Sequence, residues 1–299
     1  MNFDQKVFYN TASSAKLDWQ PEWFGVSGFG RSLIKAVKLF QKDHGLVTDG
    51  LVGPVTFRRI FTQHTTDIEA IDPLELSSSN YIICDLKKVK VEWDKVISID
   101  SQESKTLPKQ NYKTYSRHRK PSMIVTHWDV ALSATSCYNI LRKKGISSHF
   151  CIDNDGTIYQ FVDTNHACWH AGFRSVNNRS IGIDLSNAYY TKYNPTYEKR
   201  GFGLRPIMTD SIVHGHKLKP HLGFYGVQIQ AYSALVDALC SHYGIPLESP
   251  EDDAGSALYA VHREAAKGKF KGVVSHFHLT KRKIDTVGLD IQRVLNNLK

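Results

Sequence analysis

Apolar residues recur along this chain with two different periods, and the change from one to the other divides it. Between Ser32 and Asp43, Leu33, Ile34, Val37 and Phe40 follow the spacing of one face of an amphipathic helix, with Ser32 as its N-cap. His44-Gly45 ends that helix, Gly45 supplying the left-handed residue that commonly closes one. Asp49-Gly50 is a turn pair, and Gly53-Pro54 opens a second short helix through Phe57 and Ile60. The stretch from Thr62 to Pro121 carries less pattern. Ser77 to Asn80 reads as a loop, Val89-Lys90-Val91-Glu92-Trp93 alternates as a half-buried strand does, and Gln102 to Lys120 reads as linker or surface.

From Pro121 the period shortens. Met123-Ile124-Val125 predicts a buried strand and Ser136 to Lys144 a helix stopped by Gly145. Phe150-Cys151-Ile152 and Thr157 to Val162 flank Asp155-Gly156, which is a hairpin signal. Ser180 to Leu185 is another buried strand, Val227 to Tyr243 a long helix, Val273-Val274 a last strand, and Leu289 to Leu298 a closing helix. Strands alternating with helices predict an α/β domain.

Composition narrows the class. With 299 residues, 41% of them hydrophobic, the chain is long enough for two modest domains with buried cores. No apolar run approaches the ~20 residues of a membrane span. The start, Met1-Asn2-Phe3-Asp4-Gln5-Lys6, lacks a basic stretch followed by an apolar one, so synthesis in the cytoplasm without a signal peptide is expected. Cys84, Cys137, Cys151, Cys168 and Cys240 are odd in number and show no paired spacing, which predicts reduced, buried thiols. The net charge of +9 favours an anionic partner: nucleic acid, anionic lipid or an anionic cell-wall polymer. No nucleic-acid motif accompanies it, and the basic residues are scattered.

Candidate chemistry sits at the ends of the predicted strands. His127 follows Met123-Ile124-Val125, and His276 follows Val273-Val274. Asp285 lies far enough beyond His276 for a loop to bring its carboxylate back, and Lys283 shares its side if that stretch is extended. Two imidazoles and a carboxylate are donors that zinc accepts while leaving a position open for water. His278, two residues beyond His276, competes with it as a ligand. Asp184 ends the Ser180 strand as either a base or an orienting carboxylate. His149 and His170 are either cleft-lining or structural.

Two resemblances organise these observations. Ala36-Val37, Phe40-Gln41, Gly45-Leu46, Asp49-Gly50, Val52-Gly53-Pro54 and Thr56 together resemble the small three-helix peptidoglycan-binding module found beside many wall hydrolases. The segment from Met123 to Leu298 resembles the zinc-dependent N-acetylmuramoyl-L-alanine amidases of phage endolysins and wall recycling, to which peptidoglycan recognition proteins are related. The matching motifs are Ile124-Val125-Thr126-His127, Ser147 to Gln160, Trp169-His170-Ala171-Gly172, Asn178 to Asn187, and Ser275-His276 with Arg282-Lys283-Ile284-Asp285 and Gly288.

The resemblance implies an α/β catalytic domain with a central mixed sheet flanked by helices, preceded by a small all-α three-helix module. The boundaries read as 1–75 for the binding module, 76–120 for a linker and lead-in, and 121–299 for the amidase domain. It further implies that His127, His276 and Asp285 bind Zn2+, that Lys283 stabilises the oxyanion, and that Asp184 stands where the family often has a glutamate base. Three positions depart from the family: Asp184 is one methylene shorter than glutamate, Ser148 stands where one branch has a catalytic tyrosine, and Asp285-Thr286-Val287-Gly288 replaces Asp-Pro-Gly.

The implied function is hydrolysis of the amide between N-acetylmuramic acid and L-alanine by zinc-activated water. Peptidoglycan, as glycan strand and stem peptide, is the partner, reached after release through a separate pore. The alternative is a non-catalytic peptidoglycan-binding protein. Asn187 to Tyr225, rich in Tyr189, Tyr190, Tyr193, Tyr197, Lys199, Arg200 and Arg205, is an insertion that reads equally as part of a glycan-peptide cleft or as a solvated loop.

Overall fold

The computed structural model describes residues 1–65 and 79–299, which form two compact units, one within Met1–Ile68 and one within Glu69–Lys299. The expected boundary at 75/76 and the residues Ser77 and Ser78 of the expected loop lie outside the described residues.

The first unit is three helices, α1 (Phe3–Leu17), α2 (Arg31–Asp43) and α3 (Pro54–His64), with a 3-10 turn at Pro21–Phe24. Leu33, Val37, Phe40, Phe57, Ile60 and the fully buried Trp19 make its core. Helix α2 begins one residue before Ser32, and Gly30 is its N-cap without a side-chain bond. Gly45 closes it at φ +64°. The Asp49-Gly50 turn is held by the buried Gln41, whose Nε2 donates to Asp49 Oδ1 (2.8 Å) and whose Oε1 accepts from Gly50 N (2.8 Å). Gly50 has φ +78°, and a Cβ there would lie 2.9 Å from Ile34 Cγ2. Both constraints require glycine.

Helix α1 escaped the periodicity argument for a physical reason. It docks through buried polar side chains: Asn10 donates to Gly50 O (3.0 Å) and accepts from Val52 N (2.9 Å), while Ser14 bonds to Trp19 O. Phe8, which an apolar stripe would bury, is 76% exposed.

In the second unit, an antiparallel pair, β1 (Tyr81–Cys84) and β2 (Lys87–Lys90), precedes β3 (Val96–Ile97). The predicted strand Val89–Trp93 therefore ends at Lys90. Trp93 instead donates from its indole to Gly156 O (2.8 Å). Next come β4 (Met123–Trp128), α4 (Ala134–Lys144), β5 (Phe150–Ile152), β6 (Ile158–Gln160), β7 (Ser180–Leu185), α5 (Gly226–Tyr243), β8 (Gly272–Ser275) and α6 (Ile291–Asn296). The six-stranded sheet runs β8-β4-β7-β5-β6-β3, with only β5 and β6 antiparallel. Its central strands are buried on both faces, as parallel strands covered by helices are.

The two faces differ. Ile124 and Trp128 of β4, with Ile181, Ile183 and Leu185 of β7, pack into the larger core with Tyr232, Leu235, Val236 and Leu239 of α5. Met123 and Val125 pack on the opposite face with Ala171, Val176, Val274 and Leu279. Side chains alternate along a strand, so His127 leaves β4 on that second face, and Ser180, Gly182 and Asp184 leave β7 on it too.

Two arginines from the polar stretches are buried. Arg119, placed by its polar surroundings in a linker or surface stretch, is 6% exposed and donates to Thr164 O (3.1 Å), Asn177 O (3.2 Å) and Ser180 O (2.9 Å). Arg205 of the insertion is 2% exposed. It donates to Ser186 O (2.7 Å), Gly223 O (3.0 Å), Gln228 Oε1 (3.0 Å) and Asn154 Oδ1, between the rings of Tyr197 and Tyr225. A buried cation needs such partners. Arg205 and Tyr197 therefore anchor the insertion to the sheet, and are neither cleft-lining nor solvated. Among the described residues no helix is long and apolar enough to cross a membrane.

Candidate metal centre

Strands β8, β4 and β7 are mutually parallel, so their C-terminal ends share one edge of the sheet. Ser275 pairs with Thr126 and His127 with Asp184, and His276 is the next residue beyond β8. In open α/β sheets this edge is where ligands bind. The chain turns at His276–His278 and returns at Asp285, fastened by Phe277 N to Asp285 O (3.0 Å) and by the Ser275 and Thr286 hydroxyls (3.0 Å). Val287 inserts into the larger core and Gly288 adopts φ +90°. The Asp285-Thr286-Val287-Gly288 sequence thus closes the loop through a hydroxyl pair and a buried valine.

Three donor atoms converge there. His127 Nδ1 and His276 Nδ1 are 2.9 Å apart, and Asp285 Oδ2 lies 3.2 Å from the first and 2.8 Å from the second. All three residues are buried. Burial alone opposes ionisation of Asp285, but the neighbouring His276, the close polar contacts with both imidazoles and the Lys283 charge together hold its carboxyl well below the usual carboxylate range. Burial, partly offset by Asp285, lowers His276 to about 4. At neutral pH the trio therefore presents an ionised carboxylate and a neutral His276, as a cation site requires.

Hydrogen bonding, not spacing, distinguishes His276 from His278. His278 Nδ1 accepts from Ser275 N (3.0 Å) and its Nε2 donates to Leu258 O (2.6 Å), so both nitrogens are spent on the backbone. His149 is likewise structural. It is fully buried, accepting from Gly182 N (2.9 Å) and donating to His166 O (2.9 Å). His170 instead meets His127 directly, its Nδ1 lying 2.9 Å from His127 Nε2. That contact was not foreseen, although the Trp169-His170-Ala171-Gly172 motif marked the residue. Its neighbours Trp169 and Phe173 are exposed.

Asp184 is 6% exposed and stands in register beside His127 on the same face of the sheet. Lys283 is exposed, and its charge acts on both His276 and Asp285. Ser148 is buried, and its hydroxyl has no hydrogen-bond partner among the described residues.

Residues 117–286 match the family described as N-acetylmuramoyl-L-alanine amidase, and residues 26–60 match a putative peptidoglycan binding domain. No curated protein matches the chain. Similar solved structures include AmpD (20% identity, covering 65% of this chain and 95% of that one, TM-score 0.36). A mutant endolysin from Bacillus subtilis is 17% identical, covers 68% and 98%, and has a TM-score of 0.38. The E. coli amidase AmiD, bound to an anhydro-N-acetylmuramic acid peptide, is 22% identical, covers 47% and 53%, and has a TM-score of 0.31. The family match spans more than half of the chain and contains the whole convergent His-His-Asp site, and the chain belongs to the N-acetylmuramoyl-L-alanine amidase family of peptidoglycan hydrolases.

Proposed function

We propose that the chain carries out its family's reaction, cleavage of the amide between N-acetylmuramic acid and L-alanine, with a zinc ion held by His127, His276 and Asp285. The convergence of two Nδ1 atoms and one carboxylate oxygen within 3.2 Å carries this reading. Three ligands at ~2.0–2.1 Å from a tetrahedral zinc would be ~3.3 Å apart, close to the spacing seen, and a His2Asp donor set suits that ion. When bound, zinc polarises the scissile carbonyl and lowers the pKa of water to about 7.

The remaining work falls to this chain's own residues. Asp184 accepts the proton of the attacking water and delivers it to the departing amine. Lys283, an exposed cation whose charge reaches His276 and Asp285, offsets the negative charge that grows on the carbonyl oxygen. The exposed rings of Trp169 and Phe173 offer apolar surface to the substrate near His170.

The binding module favours the intact wall over soluble recycled fragments as substrate, because a second hold on the same polymer raises the effective concentration of the first. Delivery through a separately supplied pore fits that preference.

The test is digestion of purified peptidoglycan by the full chain with and without chelator. New amino groups on L-alanine, lost on chelation and restored by zinc, are expected. New reducing sugars in their place would overturn the reading. Asp184→Ala should lower turnover about 100-fold or more while zinc stays bound, the usual weight of a general base. Full activity in that variant would remove Asp184 from the mechanism.

A further inference from the structure

The hydrogen bonds behind His127 form a chain with only one consistent direction. His127 Nδ1 faces Asp285 and His276, so the proton of a metal-binding His127 sits on Nε2. Nε2–H then donates to His170 Nδ1 at 2.9 Å. His170, accepting at Nδ1, carries its own proton on Nε2 and donates to Ser180 Oγ at 3.1 Å. Ser180 in turn donates to the carbonyl oxygen of Val176 at 2.8 Å, a group that can only accept. A backbone carbonyl thus fixes every donor and acceptor back to the ligand.

The packing enforces the same arrangement. The His170 ring lies flat against Gly182, where a Cβ would come 2.8 Å from its Cγ and 2.9 Å from its Cδ2. Its plane stands at 84° to that of His127. Ser180, Gly182 and Asp184 leave β7 on one face, so a single strand anchors the relay, makes room for its ring and places Asp184 beside His127.

We infer that His170, locked by Ser180 and admitted by Gly182, is a positioning residue that holds His127 in its metal-binding tautomer and orientation. This rests on the reading of His127, His276 and Asp285 as the metal site. Partners behind a ligand histidine commonly contribute 10- to 100-fold to metal affinity.

The experiment is zinc competition against a chromophoric chelator with the metal-free full chain, alongside thermal unfolding of each metal-free protein. The wild type should bind one equivalent. His170→Ala should bind at least about tenfold more weakly. His170→Asn, whose amide oxygen can stand in for Nδ1, should recover most of that affinity, and Ser180→Ala should show a smaller loss with the ring still present. His170→Ala binding as tightly as wild type would overturn the inference. So would His170→Asn as weak as His170→Ala at equal metal-free stability. If His170→Ala does not fold, His170→Asn against His170→Gln decides, Gln being unable to place an acceptor at Nδ1; equal affinity in the two overturns the inference. A wild type without stoichiometric zinc would overturn the metal site itself, an outcome distinct from either.

Discussion

His214 donates from Nε2 to the main-chain carbonyl of Lys283 across 2.9 Å. The donor belongs to the insertion, at the turn between the paired strands Ile212–Val213 and His216–Lys217, where its φ is +53°. Its own backbone N–H is tied to Tyr259 O at 2.8 Å. The insertion therefore grips the loop that carries Lys283 and Asp285.

His214→Ala should lower turnover on a soluble muropeptide about fivefold, the equivalent of one hydrogen bond of ~1 kcal/mol. Zinc content should stay the same, because neither imidazole ligand is touched. Steady-state kinetics with metal analysis checks this, and an unchanged kcat would show that the grip has no bearing on Lys283.

His278 offers the complementary control. Its two nitrogens hold Ser275 N and Leu258 O, so His278→Ala should keep full zinc stoichiometry while losing about 1–3 kcal/mol of stability from the unpaired groups. His276→Ala should abolish stoichiometric binding. The opposite pattern in metal analysis would reverse the ligand assignment.

Asp153 supplies a pH dependence away from the metal site. Burial, with the nearby Asp155 charge, pushes its carboxyl up to about 7. A carboxyl raised on folding contributes stability fully below its unfolded value, near 4, and loses it as pH rises toward 7. Asp153→Asn keeps an oxygen for the Asn154 N–H, now 2.8 Å from Asp153 Oδ1, and cannot ionise. Its stability advantage over wild type should grow from pH 5 to pH 8 by about 1 kcal/mol or more, since one pKa unit is about 1.4 kcal/mol. Urea unfolding at both pH values measures it; a constant difference would count against a neutral buried Asp153.

Much of this domain was legible because its strands are buried on both faces. Ser180 to Leu185 is a strand over the residues that its apolar run marked, and His127 and His276 sit at strand ends as expected. What stayed hidden depends on partners distant in sequence. Arg119 and Arg205 look like surface cations until the carbonyls that receive them are known, those of Arg119 lying 45 to 61 residues away. Helix α1 is concealed because Asn10 and Ser14 dock it where a stripe of leucines would be sought. Spacing could not separate His276 from His278; the hydrogen bonds of the second ring do.

All five cysteines are free and buried, and all lie between Cys84 and Cys240. Burial pushes the thiols of Cys84, Cys151, Cys168 and Cys240 up to about 12, and Cys137 well above its usual value. Alkylating reagents act on thiolates, so the native domain is nearly invisible to them. Each cysteine becomes reactive when its own element opens: the β1 hairpin, α4, the centre of the sheet, the short strand Ala167–Cys168, or α5. Mass added under increasing denaturant would therefore date the opening of each element, and the helical module, having no cysteine, would leave the record unmarked.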